Sequence, residues 1–156
     1  MKYSYHFLAN VAVMLLVIAC KTTVPTTGEI VYQGVENKGD VLVVQAKGYG
    51  KDDREAIFNA EKRGVEILLF QGIPGSPYSS PMIVDLSLRN SKSAYFSKLL
   101  DEKGYQSFVI ESKPNGKAIY DKINRKKSIT IQMKLNVLAL RKDLEANNAS
   151  KKFGFR

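Results

Sequence analysis

The first half of the chain contains one stretch with a clear helical pattern of apolar positions. Between Asp52 and Phe70, apolar or small residues recur every three or four positions and share one face: Ala56, Ile57, Ala60, Gly64, Ile67 and Leu68. Asp52 followed by Glu55 fits a capping box, which predicts a helix over 52–70. Small residues on this face predict close packing on a sheet, which would offset the cost of about 1 kcal/mol of a helical Gly64. The opposite face carries Arg54, Glu61, Lys62 and Glu66.

Two segments have the pattern of β-strands. Residues 41–47 open with four consecutive apolar residues, which predicts a strand buried on both faces. Gly48-Tyr49-Gly50 predicts a tight turn at its end. Residues 128–140 alternate between apolar and polar, which predicts a long, half-buried, antiparallel strand. Its apolar face comprises Ile129, Ile131, Met133, Leu135, Val137 and Ala139.

The shorter predicted elements complete an α+β fold. They are an edge strand at 29–32, a strand at 83–88, a helix at 91–103, a strand at 105–112 and a short helix at 141–149. Residues 118–120 fit either a strand or an irregular crossover. Turns or loops are predicted at 34–39, 71–82 and 114–116. This order predicts a two-layer sandwich, with helices packed on one face of a mainly antiparallel sheet.

The N-terminus has the pattern of an export signal. Lys2 precedes an apolar run from Phe7 to Ala19, which is too short to span a membrane. Val17-Ile18-Ala19-Cys20 resembles the lipobox of bacterial lipoproteins, which implies cleavage after Ala19 and acylation of Cys20. An ordinary signal peptide or an anchor helix is the alternative. We therefore expect a signal peptide at 1–19, a lipidated tether at 20–40, one α+β domain at 41–149 and a tail at 150–156.

Residue 21 bears on the membrane to which such an anchor would attach. In such lipoproteins, an Asp directly after the lipidated cysteine often signals retention at the inner membrane. Lys21 stands at that position here and resembles the outer-membrane pattern. Residues 21–27 also lack the acidic cluster that some bacteria use for surface export. We therefore expect a protein on the periplasmic face of the bacterial outer membrane.

The chemistry of the mature chain is restricted. His6, the only histidine, leaves with the signal peptide, and Cys20, the only cysteine, carries lipid. This excludes nucleophilic catalysis by Ser-His-Asp or Cys-His and metal sites built from His and Cys. Asp52-Asp53-Glu55 lacks the surrounding loop of a calcium site. We expect no enzyme activity, cofactor or metal, although carboxylate-only catalysis stays open.

Charge and apolar loop residues suggest binding surfaces. The net charge of +9 suits anionic envelope partners, or reflects only a solvated basic surface, and export argues against nucleic acid. The Pro-rich loop is a candidate partner-binding surface through Ile73, Pro74, Tyr78 and Met82, unless it packs on its own domain. The tail is a second candidate, through Lys151, Lys152, Phe153, Phe155 and Arg156, unless it is simply frayed.

A family resemblance adds to this interpretation. Residues 43–50 run into Asp53–Ala60 in a way that resembles the LPP-type envelope lipoproteins and the FlgT N-terminal domain, and strand 129–138 resembles that family's closing strand. The resemblance implies a small, non-enzymatic α/β domain at the outer membrane, sometimes within flagellar or other assemblies. It also implies that Gly48, Gly50, Ala56 and Ala60 are structural. The segment Gly72–Pro81 and the basic tail depart from the family pattern.

These observations predict a lipid-anchored accessory or scaffold subunit that binds other envelope proteins in secretion, motility or surface assembly. The alternative is a binding module for an anionic envelope ligand, either lipopolysaccharide or cell-wall fragments. A homo-oligomer is also open, because strand 128–140 would pair with its own copy if it lay at a sheet edge.

Overall fold

A five-stranded antiparallel sheet with helices on one face forms the part of the chain that the computed structural model describes, residues 29–123 and 125–150. The elements in order are β1 (Ile30–Glu36), β2 (Val41–Gly50), α1 (Asp53–Phe70), α2 (Ser87–Ser91), α3 (Ser93–Leu100), β3 (Val109–Pro114), β4 (Ile119–Asp121), β5 (Lys126–Asn136) and α4 (Val137–Ala146). Short 3-10 turns occupy 37–39 and 104–108. The predicted α+β class is confirmed.

β5 lies inside the sheet. The strand order is β1-β2-β5-β3, and β4 pairs with the beginning of β5 on the same side as β3. Since β5 has partners along both sides, it is not an edge strand. The sequence left open a homo-oligomer in which strand 128–140 pairs with its own copy at a sheet edge. Because this strand is not at an edge, that route is excluded.

The predicted helix at 52–70 is confirmed as α1, and its first turn explains where it begins. The Asp52 carboxylate accepts a hydrogen bond from the Glu55 N–H at 2.8 Å. The Glu55 carboxylate accepts one from the N–H of Lys51 at 2.9 Å, whereas an ideal capping box would use the N–H of Asp52. Both carboxylates thus accept hydrogen bonds from otherwise unpaired N–H groups, and their negative charges lie next to the positive end of the helix dipole.

The two glycines after residue 47 serve packing. β2 continues through both of them, so the predicted tight turn at 48–50 is wrong. A Cβ on Gly48 would lie 2.2 Å from the carbonyl oxygen of Ala56, and one on Gly50 would lie 2.4 Å from the nitrogen of Ala56. The backbone of α1 therefore rests directly on the backbone of β2, as the small residues of the helix predict.

No strand forms at 83–88, where the sequence predicts one. The N–H groups of Met82 and Ile83 bond instead to the carbonyls of Leu68 and Leu69 at the end of α1, at 3.3 and 2.8 Å. The Asp85 carboxylate then accepts hydrogen bonds from the N–H and hydroxyl of Ser87, which is the first residue of α2. The segment is thus hydrogen-bonded to the end of α1. Its apolar residues alternate weakly, but no neighbouring strand pairs with it.

The predicted strand at 128–140 is too long, because it ends in a helix. The Asn136 side chain accepts a hydrogen bond from the Ala139 N–H at 2.9 Å and caps α4. The Val137 N–H bonds to the Asp40 carbonyl at 2.9 Å. Val137 and Leu140 are buried, so the same apolar residues satisfy a helical pattern.

The remaining boundaries shift by smaller amounts. The helix predicted at 91–103 is α3, which is preceded by the separate α2. The strand predicted at 105–112 begins only at Val109, after a 3-10 turn, and residues 119–121 form the strand β4. The tether predicted at 20–40 overlaps β1. This strand pairs with β2 and buries Ile30 in the core, so it belongs to the folded domain.

One apolar core joins the helices to one face of the sheet. Its largest fully buried side chains are Tyr105, Leu42, Ile67, Leu68, Leu69, Ile73, Ile83, Ile131, Met133, Leu135, Leu140 and Leu144. Glu61, on the polar face predicted for α1, is also buried. The hydroxyl of Tyr105 lies 3.3 Å from its carboxylate, which gives this buried charge a hydrogen-bond partner.

Candidate functional site

The strands β4 and β5 form a hairpin at one end of the sheet. Ile119, Tyr120 and Asp121 pair with Ser128, Lys127 and Lys126 respectively. The Asp121 carboxylate accepts a hydrogen bond from the Ile123 N–H at 2.8 Å, which is the local bond of an Asx turn. Arg125 adopts a left-handed backbone conformation with φ of 51°, as the chain turns into β5.

This hairpin exposes large apolar side chains. Ile123, between the two strands, is 93% exposed, and Ile119 and Tyr120 are 70% and 62% exposed. The same segment carries four exposed cationic residues: Lys117, Lys122, Arg125 and Lys126. We call these seven residues the basic hairpin. Residues 117–127 carry five cationic side chains and one carboxylate, that of Asp121.

Lys127 fixes the base of the hairpin to α1. Its ammonium donates a hydrogen bond to the Asp53 carboxylate at 2.7 Å, and this bond raises the pKa of Lys127. Asp53 is the first residue of α1 and Lys127 belongs to the central strand. This exposed pair therefore places the base of the hairpin beside the helix N-terminus, and it partly neutralises the acidic residues there.

β1 runs away from the end of the sheet that carries the basic hairpin. Ile30 is level with Ala46, which is level with Ile131 of β5, and β1 runs from there toward Glu36. Glu36 lies at the opposite end, level with Val41 and Asn136. The N-terminal end of β1 is therefore directed toward the hairpin's end of the sheet.

The Pro-rich loop packs mainly on its own domain. Ile73 and Met82 are buried in the core, and Tyr78 is half-buried. The Tyr78 hydroxyl donates a hydrogen bond to the Gly39 carbonyl, and the Arg141 guanidinium lies 5.2 Å from its ring centre. Of the four predicted contact residues, only Pro74 is exposed. Packing thus accounts for the apolar character of this loop.

The other predicted sites lie outside the described residues. These are the cleavage residue Ala19, the lipidation residue Cys20, and Lys151, Lys152, Phe153, Phe155 and Arg156 of the tail.

Charged residues cross the sheet on the face opposite the core. Lys134 of β5 bonds to Glu36 of β1 at 2.7 Å and lies 4.0 Å from Glu111 of β3. Glu111 also contacts Lys113. Because β2 lies between β1 and β5, the Lys134 side chain extends across β2, beside Val43 with which it pairs. This row is a structural ion-pair network, and its charges are balanced.

Two tyrosines with raised pKa values serve the core. Burial and a 2.6 Å hydrogen bond to the Asp143 carboxylate raise the pKa of Tyr95. Burial and the charge of Glu61 raise the pKa of Tyr105. Each phenol donates a hydrogen bond to a carboxylate on another element, so both tie two elements together.

Two further findings apply to residues 29–123 and 125–150, the part of the chain that the structure describes. Within these ranges, no three His, Cys, Asp or Glu side chains are grouped so that they would hold a metal ion. Among the helices in the same ranges, none is long and apolar enough to cross a membrane.

Sequence reasoning did not identify the basic hairpin. Its signal is present, since Ile119 and Ile123 stand four residues apart among five cations. Without the structure, however, an apolar residue next to a short strand is equally well explained by burial. The exposure of Ile123 distinguishes the two cases.

Comparisons with family models, with curated proteins and with solved structures give no match to this chain. The resemblance to the LPP-type lipoproteins and the FlgT N-terminal domain therefore stays a prediction from the residues quoted for it.

Proposed function

We propose that this protein is a non-enzymatic lipoprotein of the bacterial outer membrane, anchored through Cys20 and facing the periplasm. Its α+β domain acts as an accessory or scaffold subunit that binds other envelope proteins in secretion, motility or surface assembly. The lipobox-like sequence ending in Cys20 supports the anchor, and Lys21 supports the outer membrane.

The hydrogen bonding of the titratable groups with the most strongly shifted pKa values supports the non-enzymatic part of the proposal. The two phenols with the strongest shifts, Tyr95 and Tyr105, are hydrogen-bonded to Asp143 and Glu61 within the fold. A catalytic acid or base needs to reach a substrate proton, whereas each of these phenols is hydrogen-bonded to a carboxylate of the same domain. What the domain offers to other molecules is its surface.

The segment that connects α1 and α2 exposes apolar side chains that a protein partner could contact. Val84 is 83% exposed and Leu86 is also exposed, although Ile83 next to them is buried. Neighbouring exposed apolar residues on a connecting segment offer a contact surface to a partner. We assign the protein-binding contact to Val84 and Leu86.

Site-specific photo-crosslinking in the native envelope tests this assignment. A photoreactive residue at position 84 or 86 should capture one defined envelope protein in stoichiometric amount. The same residue at Lys142, which is exposed on α4, is the matched control and should not capture it. Failure of positions 84 and 86 to capture any stoichiometric partner would contradict the scaffold function.

The basic hairpin favours the second candidate function, which is binding of an anionic envelope ligand. Its exposed cations attract phosphate or carboxylate groups, and such attraction is screened by salt. Titration with lipopolysaccharide and with soluble cell-wall fragments at rising ionic strength tests this candidate. Binding that does not weaken with salt would count against it.

A further inference from the structure

The basic hairpin combines the two properties that hold a protein segment at a charged lipid surface. Ile123, Ile119 and Tyr120 are exposed apolar or aromatic residues, and isoleucine gains free energy on leaving water. Tyrosine favours the boundary between headgroups and hydrocarbon. The surrounding cations are attracted by anionic headgroups.

The local charge balance also favours an anionic surface. Acidic residues at this end of the domain include Asp121 of the hairpin and Asp52, Asp53 and Glu55 at the beginning of α1. Asp121 accepts the Ile123 N–H, Asp52 caps α1, and Asp53 pairs with Lys127. Lys122, Arg125 and Lys126 remain exposed around Ile123. The outermost part of the hairpin is therefore cationic.

The direction of β1 supplies an independent argument. The N-terminal end of β1, at Ile30, is directed toward the hairpin's end of the sheet, and Cys20 lies ten residues earlier in the sequence. Ten residues reach at most about 36 Å when extended. Lys126 lies five residues beyond Ile131 along β5, or about 17 Å. Acyl chains on Cys20 and the hairpin tip can therefore reach the same membrane surface.

We propose that the basic hairpin is a second membrane contact, in which Ile123 enters the headgroup region of the leaflet that carries the acyl chains of Cys20. The lipid recognised is an anionic phospholipid, through its phosphate and the surrounding cations. This inference rests on the proposed lipid anchor. It orients the domain with the hairpin toward the membrane and with Lys38, at the opposite end of the sheet, away from it.

The direct test measures the depth of position 123 in the acylated, full mature protein. Ile123→Cys supplies a thiol for a nitroxide label, because acylation consumes the thiol of Cys20. The protein is reconstituted into vesicles rich in phosphatidylglycerol or made only of phosphatidylcholine. We expect the label to be shielded from a water-soluble relaxation agent in the phosphatidylglycerol vesicles. The label on Lys38→Cys, the matched control, should stay accessible.

A second measurement separates the hairpin from the anchor. The full mature chain carrying Cys20→Ser has no acyl chains and is sedimented with phosphatidylglycerol vesicles. Each of Lys122→Gln and Arg125→Gln should weaken binding about fivefold. Ile123→Ser should weaken it about tenfold. Lys38→Gln removes one charge at the far end and should leave binding unchanged.

The outcomes distinguish the two proposals. Equal accessibility of positions 123 and 38 in the acylated protein overturns the hairpin contact and leaves the anchor standing. Phosphatidylglycerol binding by a chain that is not acylated in its native envelope supports the hairpin and overturns the anchor. Binding to lipopolysaccharide without binding to phosphatidylglycerol overturns the choice of phospholipid.

Discussion

Gly48 of β2 and Ala60 of α1 approach so closely that a Cβ on Gly48 would lie 2.3 Å from the Ala60 nitrogen. The atoms in the way belong to the helix backbone, which cannot move aside as a flexible side chain does. The distance between α1 and the sheet is thus set by the absence of a side chain at position 48. Ala60 itself is fully buried in this contact.

Gly48→Ala should therefore destabilise the domain strongly. Overpacking in a core costs about 1–3 kcal/mol, and a clash with backbone places this variant at or above the top of that range. Chemical denaturation of both proteins measures the loss. Gly34→Ala is the control, since a Cβ there has open space, and it should be neutral or slightly stabilising. Equal stability of the two variants would contradict the close approach of α1 and β2.

Alkaline pH should weaken the fold through Tyr95. Folding raises the pKa of this phenol above its ordinary value of 10.0, so above pH 10 the folded state keeps a proton that the unfolded chain loses. Its stabilising contribution is complete below pH 10 and is lost as pH rises further, by at most about 1.4 kcal/mol per pH unit.

Unfolding by urea at a series of alkaline pH values measures this slope. Tyr95→Phe should reduce the slope and, by removing the bond to Asp143, lower stability at neutral pH by about 1–2 kcal/mol. Tyr120→Phe, at an exposed position, is the control and should leave the slope unchanged. An unaltered slope in Tyr95→Phe would show that other groups cause the alkaline loss.

The junction of β5 and α4 depends on one side chain. Asn136→Ala removes the acceptor of the Ala139 N–H and should cost about 1 kcal/mol of unfolding free energy. Asn136→Asp keeps an acceptor at the same place and should retain most of the stability. Thermal unfolding compares the three proteins. If Asn136→Asp loses as much stability as Asn136→Ala, the cap is not what stabilises this junction.

The pattern of apolar positions predicts α1 correctly because two signals agree there, a helical face and the Asp52 cap. At residues 137–140 the pattern misleads, since Val137 fits both an alternating strand and a helical face. Only the hydrogen bond of Asn136 decides between them. The segment 83–88 fails for a different reason, because Met82 and Ile83 bond to the end of α1. Such tertiary bonds leave no trace in local periodicity.

The candidate sites divide in a similar way. Apolar residues of the Pro-rich loop such as Ile73 serve the core, whereas Ile123 among lysines is exposed. An isoleucine stands in each segment, and this residue type alone does not separate a buried loop from a contact surface. The distinction comes from the fold, which supplies a sheet and helices above one segment and solvent above the other.

The central claim is that this domain is held to a membrane by lipid on Cys20. Mass spectrometry of the intact mature protein, purified from its native envelope, tests it most directly. We predict a chain that begins at Cys20 and carries the mass of its attached acyl chains, each of which adds about 0.8 kcal/mol of membrane affinity per buried CH2. An unmodified Cys20, or a chain that retains residues before it, would contradict the anchor and the location that follows from it.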